Sequence, residues 1–157
     1  MTATDKELST GLPGLDHTIR GLLPGDNLVW RVESIEDYVP FVRAACAGAA
    51  NRRHSVVYFR FASHVPLFEP EQGVTIHQLR SDEGFDAFVG HIRHVIDEHR
   101  HNALYIFDCL SELVGDWCSD CMLGNFFMLT CPYVYDKGAV AYFSILRDRH
   151  SFHAIRP

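Results

Sequence analysis

Four polar residues crowd one short stretch, RVESIEDYV: Glu33, Ser34, Glu36 and Asp37. Such a set can hold a cation, or it can open a helix. Ser34 suits an N-cap, and Asp37 three residues on takes the Glu position of a capping box, which favours the helix start. Asp108 closes the apolar run ALYIFD. It fits a magnesium-binding acid, or a strand-end acid that caps the next turn or pairs with a base. Magnesium usually needs substrate phosphates or further carboxylates, so the structural role is the favoured one. Arg147, Arg149 and His150 in RDRHS, with His153 beyond, form a basic cluster after the last apolar run. They suit an anion, a phosphorylated ligand or a partner's carboxylates, and equally an ion pair with Asp148, Asp108 or Glu33. Both readings stay open.

Two further patterns carry weaker chemistry. DWCSDC places Cys118 and Cys121 in a W-C-x-x-C spacing, as in thiol redox centres that open a helix directly after a strand. Here Cys118 lies ten residues past Asp108. Val114, Trp117, Cys118, Cys121 and Met122 share one face at helical spacing, so two buried structural thiols are expected. Zinc would need two more ligands, and only Cys131 is near. In HIRHVIDEHRH, residues His91, His94, Glu98 and His101 lie opposite an apolar stripe, which fits a solvated helix face better than a metal site.

The elements that must position these residues alternate. Strands are expected at Leu28 to Val32, Val56 to Phe61, Gly73 to Leu79, Ala103 to Asp108 and Ala139 to Leu146, with Phe152 to Ile155 as an edge. Helices are expected at Leu15 to Ile19, Glu36 to Ala50, Asp82 to His99 and Ser111 to Leu129. The third has apolar residues at Phe85, Phe88, Val89, Ile92, Val95 and Ile96, a 3.6-residue stripe. Strands alternating with helices predict a three-layer α/β domain with a mainly parallel sheet covered on both faces. Ligands of such sheets sit beyond the carboxyl ends of the strands, which puts Glu33, Asp108 and RDRHS on one edge. The first ten residues read as a loose arm, and residues 11–157 as one domain.

Composition excludes several classes. The chain has 157 residues, 47% hydrophobic, with 11 phenylalanines, enough for an ordinary core. Its net charge of −6 argues against nucleic acid. No apolar run approaches the roughly 20 residues of a membrane span, and no signal-peptide pattern opens the chain, so a cytoplasmic protein without a membrane partner is expected. Five cysteines, an odd number, argue for reduced thiols.

The stretches STGLPGLDHTIRGLLPGDNLVW and ALYIFDCLSEL resemble the lead-in and the Walker B strand of RecA/KaiC-like ATPases. The resemblance implies a RecA-like, P-loop-type three-layer fold, Mg-ATP as ligand, Asp108 as magnesium acid and edge-to-edge assembly. The sequence departs from that family where G-x-x-x-x-G-K-[ST] should stand. RVESIEDYV has no glycine and no lysine. A phosphate about 5 Å from one of its carboxylates would be destabilised by roughly 3 kcal/mol at an effective dielectric of ~20. No bound cofactor is therefore expected. More narrowly, WRVESIEDYVPFV, YFRFASH, FDCLSEL, MLGNFFMLTCPYVYD and AYFSILRDRHSFHAI resemble degenerate KaiC-like modules found N-terminal to phosphoenolpyruvate-synthase or pyruvate-dikinase-like regions. That implies a non-catalytic binding or regulatory module, partnered by neighbouring domains of a parent chain or by itself. The aromatic segment GNFFMLTCPYVY is the candidate contact. The alternatives are an ATP-binding protein or weak ATPase with an unusual phosphate cradle, and a thiol redox protein using Cys118 and Cys121.

Overall fold

The computed structural model describes residues 8–69, 73–99, 103–117 and 119–150. Five strands, β1 (Asn27–Val32), β2 (Val56–Arg60), β3 (Val74–Gln78), β4 (Leu104–Cys109) and β5 (Val140–Leu146), form one sheet. Their order is β1-β5-β4-β2-β3, and every pairing is parallel. The expected α/β architecture with a parallel sheet is therefore present. The central strands are continuously apolar and buried, as strands covered on both faces must be, whereas β1 and β3 at the edges are partly exposed.

Among the described residues there are five α-helices: α1 (Pro13–Ile19), α2 (Val39–Asn51), α3 (Phe85–Glu98), α4 (Leu113–Trp117) and α5 (Asp120–Asp136). The period-2 alternation of the strands divides the core. Leu104, Ile106, Val140 and Tyr142 pack with Val42, Ala45 and Ala49 of α2. Tyr105, Phe107, Ala141 and Phe143 pack with Phe88, Ile92 and Val95 of α3 and with Leu123 and Phe126 of α5. No helix among the described residues is long and apolar enough to cross a membrane.

Four boundaries depart from expectation. The Glu36 helix begins as a 3-10 turn, Ile35–Asp37, before α2. The Asp82 helix is divided by Gly84, whose φ of 101° separates a 3-10 turn at Ser81–Glu83 from α3. The Ser111 helix is broken into a 3-10 turn at Leu110–Glu112, then α4 and α5. Ser119 caps α5, its hydroxyl accepting the Cys121 N–H at 3.0 Å. That helix also runs past Leu129 to Asp136 in spite of Pro132, which deprives only the exposed Met128 turn of a hydrogen bond.

Of the first ten residues, Leu8 to Thr10 are described, and they are held against the fold. Leu8 is buried and bridges Leu22. The Asp16 carboxylate accepts the Ser9 hydroxyl, the Thr10 N–H at 2.9 Å and the Thr10 hydroxyl at 2.7 Å. Burial pushes the Asp16 carboxyl up, but those hydrogen bonds and the Arg52 charge outweigh it and hold it below its usual range. The Phe152 to Ile155 edge lies outside the described residues.

Candidate functional site

Because β1, β4 and β5 run parallel, their carboxyl ends bring Glu33, Asp108 and the basic segment after Leu146 to one edge of the sheet. At the corner, only Glu33 and Ser34 separate β1 from the 3-10 turn. Asp37 accepts the Ser34 N–H at 3.1 Å and the Ser34 hydroxyl at 3.3 Å. The turn closes on itself through Tyr38 N–H to the Ile35 carbonyl, at 3.0 Å. Pro40 follows in the first turn of α2 and has no N–H to offer. Positive φ angles occur elsewhere among the described residues, not between Glu33 and Tyr38. The alternating backbone that forms an anion-binding nest is missing. Tyr38 is fully buried beneath this corner. Burial pushes its hydroxyl well up, and Tyr142 and Asp108 add to the effect.

Asp108 is also fully buried, and its carboxylate is already spent. One oxygen accepts the Tyr58 hydroxyl. The other accepts Arg60 Nη1 at 2.6 Å and the N–H groups of Phe61 and Ala62 at 2.8 and 2.9 Å. Tyr58 and Arg60 are two apart on β2, hence on one face, and the Phe59–Phe107 pairing sets them beside Asp108. Burial first, then the Asp108 charge, drives the Tyr58 hydroxyl far above its ordinary value. The loop after β2 wraps this centre. Arg60 also donates to the His64 carbonyl. His64 Nε2 lies 3.3 Å from the Cys109 backbone nitrogen and 3.6 Å from an Asp108 oxygen, and its Nδ1 lies 2.7 Å from the Val65 carbonyl. Glu112 accepts the Ser63 N–H and hydroxyl at 2.8 and 2.7 Å. Burial raises the Glu112 carboxyl, but the Ser63 bonds and the His64 and Arg60 charges bring it below its usual range.

The basic segment is paired within the fold. Arg147 meets Glu33 at 3.0 Å, and Arg31 meets Asp148 at 3.4 Å, all four side chains exposed. His150 is almost wholly buried, its Nδ1 2.9 Å from Asp120 and its Nε2 2.5 Å from the Ser111 hydroxyl. Arg149 is exposed, with no ion pair among the described residues. Asp108 takes its base from Arg60, not from this cluster. Glu36 is exposed at the corner.

Cys121 corrects the expectation of a buried thiol. It is exposed, at the second position of α5, because the break at Ser119 resets the helical phase. Cys118 lies outside the described residues. Among the described residues no group of three His, Cys, Asp or Glu side chains converges on a metal position. His94 and Glu98 form an exposed pair at 3.3 Å.

The residues at this edge do not fit Mg-ATP. The corner lacks an anion-binding backbone cradle, it carries the carboxylates of Glu33, Glu36 and Asp37, and the acid at the end of β4 already accepts four hydrogen bonds. No protein-family model matches the chain, and no curated protein matches it either.

Proposed function

We propose that this chain is a non-catalytic binding or regulatory module on a RecA/KaiC-like scaffold. The resemblance of its two motif stretches and the parallel sheet support the scaffold. One observation carries the loss of catalysis: the Asp108 carboxylate is enclosed by Tyr58, Arg60, Phe61 and Ala62. An acid that serves magnesium needs an open oxygen, and this one braces a loop instead. The narrower resemblance supplies a setting, beside the catalytic regions of a phosphoenolpyruvate-synthase-like parent chain.

The role that remains is association. Of the aromatic segment, Phe126 belongs to the core and Phe127 and Tyr133 pack against it, whereas Met128 and Tyr135 are 72% and 67% exposed. Leu23 and Val29 are exposed as well, at 60% and 47%. Such side chains supply affinity, while the charges of Glu36 and Arg149 set orientation.

The test is calorimetric titration with Mg-ATP and Mg-ADP, alongside phosphate release. No saturable heat at millimolar nucleotide and no turnover above background are expected. Saturable Mg-ATP binding with turnover by the unaltered chain overturns the reading.

A further inference from the structure

At the opposite end of the sheet, an open cleft of about 840 Å³ lies between the second half of α2 and the amino ends of β2 and β3. We propose that this cleft binds a small organic anion with one phosphate or carboxylate group on an apolar body. It goes beyond the association role, and it does not depend on how the Asp108 edge is read.

Three basic side chains line the cleft: Arg43, Arg53 and His54. Neither arginine has an ion pair among the described residues, in a chain whose net charge is −6. Guanidinium forks of this kind match the oxygens of phosphate and carboxylate. His54 adds a specific vacancy of bonding. Its backbone N–H is engaged by the Ala49 carbonyl at 3.0 Å, yet its ring Nδ1 is buried with no hydrogen-bond partner. Burial, and then the Arg52 charge, hold the imidazole below its ordinary value.

The position of Arg53 points the same way. It follows the end of α2 with φ of 57°, a left-handed position usually given to glycine. Apart from Ser55, the remaining side chains of the wall are apolar. Phe68 and Val56 are buried, and Cys46 is half-buried. The volume lies in the roughly 300–1,000 Å³ range of small-molecule sites, and a charged rim over an apolar wall is their usual composition.

The experiment titrates the full chain with phenyl phosphate, benzoate and inorganic phosphate, read by heat and by NMR shifts. Saturable binding of phenyl phosphate or benzoate, tighter than that of inorganic phosphate, is expected, and the better of the two names the anionic group. Arg43 and Arg53 are exposed, so Arg43→Gln with Arg53→Gln leaves the fold intact, as circular dichroism checks. The double substitution should weaken binding about tenfold or more, the loss of one charge-assisted hydrogen bond. Arg147→Gln, at the far edge, should leave it unchanged. The proposal is overturned by no saturation up to about 10 mM, a concentration far above any specific affinity. It is equally overturned by binding that survives the double substitution, or by binding that Arg147→Gln abolishes.

Discussion

Replacing Asp108 by Ala separates a structural acid from a functional one. The Asp108 side chain is 0% exposed and its Arg60 partner 15% exposed. The substitution leaves the guanidinium uncompensated and strands the Tyr58 hydroxyl and two backbone N–H groups. Removing one partner of a buried ion pair costs about 3–5 kcal/mol. The orphaned N–H groups sit in a loop that can admit water, so the low half of their usual penalty is appropriate and the sum stays near that range. Against a typical total of about 5–15 kcal/mol, the loss is severe. The melting point should fall by roughly 6–20 °C for a domain of this size. Urea unfolding followed by circular dichroism measures it, with a shared slope for both proteins. Replacing both partners, Asp108→Leu with Arg60→Met, should recover part of the loss, since two apolar groups leave no unpaired charge. An acid held open for magnesium behaves otherwise: without the ion, its removal relieves desolvation and is neutral or stabilising. A variant within about 0.5 kcal/mol of the parent, the ordinary scatter of surface changes, refutes the hub.

Other outcomes follow from single contacts. Burial first, then the charges of His99 and His91, hold His77 below 6.5, so the unfolded chain binds more protons just under that value. Stability should therefore fall as pH drops below about 6.5, and His77→Phe should flatten that fall in melting curves; an unchanged slope counts against it. Gly11→Ala should cost about 2–4 kcal/mol in urea, because its φ is 76° and a Cβ would stand 1.9 Å from the Ala44 carbonyl oxygen in α2. Native iodoacetamide labelling read by mass spectrometry should modify Cys121 ahead of Cys109 and Cys131, whose thiols burial pushes up, Cys131 to about 11. Labelling of Cys131 at the Cys121 rate would contradict that order.

What was legible in the sequence was periodicity, and what was not was pairing. Phe88, Val89, Ile92, Val95 and Ile96 are buried as their spacing requires, since a helix face depends on one angle per residue. All five strands lie within a residue or two of their expected bounds, because apolar runs closed by turns leave few other options. The fate of Asp108 depended on something the spacing of its own strand does not contain. Its partners come from β2 and the loop after it, about fifty residues earlier, and only the Phe59–Phe107 register brings them together. The signal was present in YFRF, where Tyr58 and Arg60 share a face, but nothing in that strand names the neighbour. Cys121 was misplaced for a related reason. A single serine able to cap restarts the helix at Ser119 and shifts every later residue to a new face, so a stripe counted across the break joins residues that do not share a surface. The capping box at Ser34 and Asp37 was legible because both partners lie three residues apart. Local polar chemistry can thus be read from sequence, whereas polar chemistry between strands waits on register. The edge of a parallel sheet, where ligands bind, is made almost wholly of the second kind.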